Sequence, residues 1–76
     1  MKEQVLTICR RINKEIPDGD EIRLIDDGYI DSFGVFTIMA ELELVYNLVL
    51  DETDMVYANF KDVKSIVELI RKKQRG

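Results

Sequence analysis

The chain has 76 residues, of which 46 % are hydrophobic, and its formal net charge is −4. This length predicts a single domain over residues 1–76 without room for a deep catalytic cleft, and the hydrophobic fraction argues against disorder. With no histidine and only one cysteine, the chain lacks the residues for a zinc site or an intramolecular disulfide.

The charges are distributed unevenly along the chain. Residues 1–14 and 63–76 carry +3 and +4, whereas residues 15–62 contain thirteen acids against Arg23 and Lys61, a balance of −11. Such a block disfavours nucleic acid and favours basic protein partners, although a merely solvated surface explains it about equally well. The N-terminus has no signal-peptide core, and no apolar run reaches the ~20 residues of a membrane span, so we expect a cytoplasmic monomer without membrane insertion.

Helical spacing of apolar residues predicts a first helix from about Lys2 to Ile16, ended by Pro17. Its apolar face consists of Val5, Ile8, Cys9, Ile12 and Ile16, so we expect Cys9 to be a core residue. Residues 17–31 then form a long loop that includes a turn at 18–20. Five apolar residues are expected to anchor this loop to the core: Ile22, Leu24, Ile25, Tyr29 and Ile30.

A second helix is predicted from about Ser32 to Asn47, because apolar residues recur there every three or four positions. The predicted buried face comprises Val35, Ile38, Met39, Leu42, Val45 and Tyr46.

Two shorter helical patterns follow. Asp51 or Thr53 is expected to cap a third helix from roughly Asp54 to Asn59. The predicted core contacts of that helix are Met55, Val56 and Tyr57. Asp62 is expected to cap a last helix from Val63 to about Lys73, which buries Val63, Ile66, Val67 and Ile70. Since no segment alternates with a two-residue period, we expect an all-α four-helix bundle without a sheet.

Ser32 opens the second helix within Asp31-Ser32-Phe33-Gly34. Its simplest interpretation is a helix N-cap, which the spacing alone favours. A helix N-terminus also stabilises anions, so a phosphodiester on the serine oxygen would be accommodated there. Without a histidine to activate a serine or cysteine nucleophile, we expect no intrinsic enzymatic activity, and we expect Ser32 to be modified by another protein.

Steps of four residues along the second helix lead from Ser32 to Phe36, Ala40 and Leu44, beside the predicted buried face. One interpretation is that the third helix or the long loop covers these side chains. The other is an exposed apolar docking ridge, rimmed by Glu41 and Glu43, because apolar patches with polar rims commonly mark partner sites. Both interpretations stay open on the sequence alone.

Over nearly its whole length the chain resembles the acyl and peptidyl carrier proteins. The matching residues are Gly28-Tyr29-Ile30-Asp31-Ser32-Phe33, Glu41-Leu42-Glu43, Phe60, Val63, Ile66 and Val67. Phe33 replaces the leucine of the family's usual Asp-Ser-Leu motif. This Asp-Ser-Phe-Gly variant is similar to D-alanyl carrier proteins and to stand-alone carriers of aminoacyl or polyketide pathways.

The resemblance implies a four-helix bundle of the acyl-carrier type with a covalent cofactor on Ser32. A phosphopantetheinyl transferase, using magnesium and coenzyme A, would attach 4'-phosphopantetheine to the Ser32 oxygen. The thiol of that arm, not Cys9, would hold an acyl or aminoacyl group as a thioester. A loading ligase and acceptor enzymes of lipid, polyketide, peptide or D-alanine-transfer pathways would be its further partners.

The resemblance also implies where partners bind. Recognition is expected at Asp31, Phe33, Phe36, Ala40, Glu41 and Leu44. The family often has acids at positions 36, 40 and 44, so the apolar residues here imply a narrower set of partners. Two alternatives carry no such arm: a helical interaction module that docks through Phe36 and Leu44, and a regulatory domain phosphorylated on serine.

Overall fold

Helices make up the regular secondary structure of the computed structural model, which describes residues 1–19 and 21–75. Four α-helices occur in this part of the chain: α1 (Lys2–Ile12), α2 (Ser32–Tyr46), α3 (Tyr57–Phe60) and α4 (Val63–Arg75). A 3-10 helix (Glu52–Asp54) precedes α3, and no strand is found in the described ranges, so the predicted all-helical class is confirmed. The turn predicted at 18–20 includes residue 20, which lies outside the described residues.

One hydrophobic core joins the helices and the long loop. Helix α1 packs against α2 and α4, and α3 packs against α4. At one end of the bundle, the Tyr46 hydroxyl of α2 donates to Gln4 Oε1 of α1 at 2.8 Å. At the other end, Gly34 at the start of α2 lies against Ile12 at the end of α1. The two helices are therefore antiparallel, and Ser32 lies at the end of the bundle where α1 finishes.

Helix α1 ends at Ile12, four residues before the predicted end at Ile16. Asn13 adopts extended backbone angles, and its side chain donates to the Tyr29 carbonyl at 3.1 Å and accepts from the Glu15 N–H at 3.0 Å. Asparagine side chains compete with the helix for backbone partners in this way. Ile16 is nevertheless buried as predicted. Residues 14 and 15 form a turn, in which the Ile16 N–H donates to the Asn13 carbonyl at 3.2 Å.

Helix α2 follows the prediction closely. It ends at Tyr46, and Asn47 closes it in the left-handed conformation (φ 52°). Most of the predicted face is buried or partly buried, but Val45 is 47 % exposed, so that prediction is wrong. In the last turn it is the neighbouring Tyr46 that faces α1, through its hydrogen bond to Gln4.

The predicted third helix is divided in two. Asp51 caps the 3-10 helix, because its side chain accepts a hydrogen bond from the Thr53 N–H. In turn, Asp54 Oδ2 accepts a hydrogen bond from the Asp51 N–H at 3.0 Å. This capping box places Asp54 at the end of one short helix instead of at the start of a longer one. Val56 and Tyr57, predicted as core contacts, are about half exposed, and Phe60 is the buried residue of α3.

Helix α4 runs two residues beyond its predicted end. Asp62 caps it as predicted, since its Oδ1 accepts from the Ser65 N–H at 2.7 Å. The predicted apolar stripe is buried, and so are the loop anchors Leu24 and Ile30. In the residues described, no helix combines the length and apolar character that crossing a bilayer requires.

Candidate functional site

Asp31, and not Ser32, caps helix α2. The backbone of Asp31 is extended, and its Oδ1 accepts a hydrogen bond from the Gly34 N–H at 2.9 Å. The interpretation of Ser32 as the N-cap is therefore wrong, because Ser32 is already the first helical residue. Ser32 is exposed, and its hydroxyl makes no hydrogen bond within the described part of the chain. The oxygen is free for chemistry that does not disturb the helix start.

Because Asp31 and not Ser32 caps the helix, alanine variants of these two neighbours should differ in their free energy of unfolding. Asp31→Ala should lower the free energy of unfolding by about 1 kcal/mol, the usual cost of losing an N-cap side chain. Ser32→Ala should change that free energy by less than about 0.5 kcal/mol, because no bond is lost. Urea denaturation followed by circular dichroism measures both, and a reversed order would assign the cap to Ser32.

Gly34 allows the start of α2 to approach the loop closely. A β-carbon at this position would lie 2.7 Å from Ile30 Cγ2 and 3.4 Å from Ile12 Cγ2. Such a contact forces a displacement, so a larger residue would push the helix start away from the loop and from α1. This packing role is not predictable from the local sequence, because the contact joins three separate segments of the chain.

The loop that leads to Ser32 is held by backbone hydrogen bonds. The Leu24 N–H donates to the Lys61 carbonyl after α3, and the Ile30 N–H donates to the Leu24 carbonyl, both at 2.9 Å. Gly28 turns the chain between these bonds with a φ of +80°, which favours glycine. These contacts hold the residues before Ser32 against residues 54–61, which contain α3 and which we call the α3 segment.

An open cleft of about 530 Å³ lies beside Ser32. The loop and the start of α2 form one side, and the segment from Met55 to Phe60 forms the other. Most of its lining side chains are apolar, including Ile25, Ile30, Val35, Met55, Val56 and Phe60. Met55, Val56 and Tyr57 were predicted only as core contacts, so their place in the wall of a cleft was not predicted. A signal was available, because three consecutive large apolar residues exceed what one short helix can bury.

The side chains beyond Ser32 on α2 form an exposed apolar ridge, which we define as Phe33, Phe36, Ala40 and Leu44. Phe33 is 83 % exposed, Phe36 59 % and Leu44 81 %, and Ala40 is also exposed. Neither α3 nor the long loop covers these side chains, so the interpretation that they are covered is wrong and the ridge is exposed. Exposed apolar surface next to a candidate modification site fits a protein-binding face.

The acids that rim the ridge are held by internal contacts. Glu41 Oε2 lies 3.0 Å from Arg11 Nη1, and Glu43 Oε2 accepts from the Leu50 N–H at 2.9 Å. Glu41 and Glu43 therefore each have one internal partner, and the exposed apolar side chains of the ridge lie beside them.

Cys9 does not offer a second reactive group. The residue is fully buried, and this burial raises the pKa of its thiol to about 11. The thiol is therefore protonated at neutral pH and has neither the thiolate form nor the access that a reactive cysteine needs. No group of three or more potential metal-ligating side chains occurs in residues 1–19 and 21–75.

The chain was also compared with known proteins. No protein-family model matches it, and no curated protein matches it.

Proposed function

We propose that this chain is a carrier protein of the acyl-carrier type, with Ser32 as the attachment point of a 4'-phosphopantetheine arm. The observation that carries the proposal is the exposed Ser32 hydroxyl at the first position of α2, beside an aspartate that caps the helix in its place. The free N–H groups and the dipole of this 15-residue helix favour the negative charge of a phosphodiester there. The residues present therefore fit the group.

The attachment reaction needs little from the chain itself. Ser32 Oγ attacks the β-phosphorus of coenzyme A, the bond from that phosphorus to the 3',5'-ADP portion breaks, and the hydroxyl proton passes to a base of the transferase. Asp31 positions the serine by holding the first turn of α2. When bound, the arm supplies the thiol that forms the thioester with an acyl or aminoacyl group.

A tethered group suits delivery between enzymes. Linking the cargo to a docked domain raises its effective concentration at each active site without any catalytic residue in the carrier. The transferase, a loading ligase and acceptor enzymes are the proposed partners, and the ridge on α2 is their proposed docking surface. Its apolar character fits binding by shape and burial more than by long-range charge.

The test is the intact mass of the protein after incubation with coenzyme A, magnesium and a broad-specificity phosphopantetheinyl transferase. We expect a gain of one phosphopantetheinyl group in the wild type and no gain in Ser32→Ala. Ser65, the only other serine of the chain, provides the matched control, and Ser65→Ala should still be modified. An unmodified wild type, or modification that persists in Ser32→Ala, would contradict the proposal.

The exposed ridge also favours a second candidate, a helical interaction module without a prosthetic group. Both functions need Phe36 and Leu44 on the surface, as they are here. They differ at Ser32, because the interaction module would keep its function in Ser32→Ala. A phosphate alone on Ser32 of the protein purified from its native cells would instead indicate serine phosphorylation.

A further inference from the structure

The exposed positions of α2 between Phe33 and Leu44 carry no charge. The charged residues of this helix are Glu41 and Glu43, which are partly buried and make the internal contacts given above. The exposed residues in this stretch are Phe33, Phe36, Thr37, Ala40 and Leu44. Because burying an unpaired charge is costly, an apolar surface suits this face better than a charged one.

The ridge has the same pattern in both directions from Ala40. Phe36 lies four residues before Ala40, and Leu44 lies four residues after it. Residues four apart lie on one side of a helix, so a small side chain separates two large ones there. When two copies pair antiparallel about a twofold axis at Ala40, Phe36 of each copy faces Leu44 of the other, and the two alanines meet. The small alanines let the helix axes approach, while the large side chains fill the space beside them.

The same pairing keeps like charges apart. Glu43 lies three residues after Ala40 and Thr37 lies three residues before it, so each Glu43 faces Thr37 of the other copy. The two Glu43 positions are then separated by about 9 Å along the helix axis, at roughly 1.5 Å per residue. The Thr37 hydroxyl already donates to the Phe33 carbonyl at 3.0 Å, so this donor stays satisfied when the face is covered.

We infer that a second copy of this chain binds the ridge and forms a weak antiparallel dimer with its twofold axis at Ala40. A fully exposed aromatic side chain presents roughly 200 Å². At exposures of 83 %, 59 % and 81 %, Phe33, Phe36 and Leu44 therefore offer about 400 Å² per copy. Ala40 and Thr37 bring the total for two copies to about 1,000 Å², which is the size of a transient interface. We expect a Kd of roughly 100 µM, so the chain is a monomer in dilute solution.

Sedimentation equilibrium of the unmodified protein, over concentrations that span the expected Kd, measures the pairing. Leu44→Ala truncates both contacts between Phe36 and Leu44 at once and should raise the Kd about tenfold or more. Val49→Ala is the matched control, because Val49 is 79 % exposed but lies beyond α2, beside Lys72. This variant should leave the Kd unchanged. Urea denaturation of both variants checks that they are folded.

Cysteine cross-linking tests the position of the axis. With helix axes about 10 Å apart and Cα atoms about 2.3 Å from each axis, the two Cα atoms at position 40 lie about 5 Å apart, within disulfide range. Ala40→Cys should therefore cross-link when oxidised glutathione takes up the electrons of the two thiols. Thr37→Cys is the control, because its two copies lie about 9 Å apart along the axis and should cross-link at least about fivefold more slowly. Non-reducing electrophoresis measures both rates, and Cys9 is buried and does not interfere.

Salt separates this dimer from a pairing through charges. Each copy has a formal net charge of −4, so the two copies repel, and salt that screens this repulsion should lower the Kd of an apolar dimer. Contact between the acidic residues 15–62 of one copy and the basic α4 of another would instead weaken with salt. A monomer at every concentration, a Kd that rises with salt, an equal effect of Val49→Ala, or equal cross-linking at position 37 would each overturn the inference.

The dimer does not rest on the proposed function, since every measurement uses the unmodified chain. Because the ridge is also the proposed docking surface of the transferase, dimer formation and docking would exclude each other. A dimer whose Ser32 the transferase never modifies would leave the pairing and remove the carrier function. A modified chain that stays monomeric at every concentration would leave the carrier and remove the pairing.

Discussion

Replacing Phe36 by alanine is expected to lower the kcat/KM of a phosphopantetheinyl transferase for this chain by roughly thirtyfold. Truncating an aromatic anchor at the centre of an interface commonly costs about 2 kcal/mol, and 1.4 kcal/mol corresponds to a factor of ten. Phe36 is 59 % exposed, so the free energy of unfolding should change by less than about 0.5 kcal/mol. Initial rates of modification and urea denaturation together separate docking from folding.

Thr7→Ala is the matched control for this prediction. Thr7 is exposed on α1, on the side of that helix away from its buried residues, and the variant likewise only truncates an exposed side chain. Its modification rate should equal that of the wild type. Equal rates for the wild type and Phe36→Ala would show that the transferase does not dock on the ridge, and unfolding of Phe36→Ala would show that the side chain belongs to the core.

Replacing Asp54 by alanine is expected to have the largest effect on stability, a loss of roughly 2 to 3 kcal/mol from the free energy of unfolding. Asp54 is the one buried polar or charged residue among those described, with 7 % exposure. Its Oδ2 lies 2.7 Å from Lys73 Nζ and accepts from the Asp51 N–H at 3.0 Å. The variant leaves the ammonium group without its partner and removes half of the capping box.

Glu52→Ala is the control, because Glu52 lies in the same 3-10 helix and is exposed. It should change the free energy of unfolding by less than about 0.5 kcal/mol in urea denaturation. A loss of less than 0.5 kcal/mol in Asp54→Ala as well would mean that desolvation of the ion pair cancels its attraction. Because Asp54 anchors the α3 segment, a destabilised variant should also show faster amide exchange at Val56 and Tyr57.

The sequence predicted best those elements whose signals are local. The stripe of α4 and most of the buried face of α2 follow from apolar residues repeated every three or four positions, and Asp62 caps α4 through a neighbour three residues away. The errors occurred where a distant residue decides the local conformation. Asn13 lies where α1 ends, and its side chain donates a hydrogen bond to the Tyr29 carbonyl. Asp54 does not begin the predicted third helix, and its side chain pairs with Lys73, nineteen positions further along the chain.

The candidate site shows the same division. The sequence predicted Asp31-Ser32 at the start of a helix, the acidic loop before it, and the apolar residues spaced by four as far as Leu44. These features are predictable because periodicity and capping act over a few positions. Tertiary structure decided that Asp31 takes the cap, that the ridge is uncovered, and that a cleft with Tyr57 on its wall lies beside Ser32. Exposure and cavities depend on how the loop, α2 and α3 pack against one another, and no short stretch of sequence contains that information.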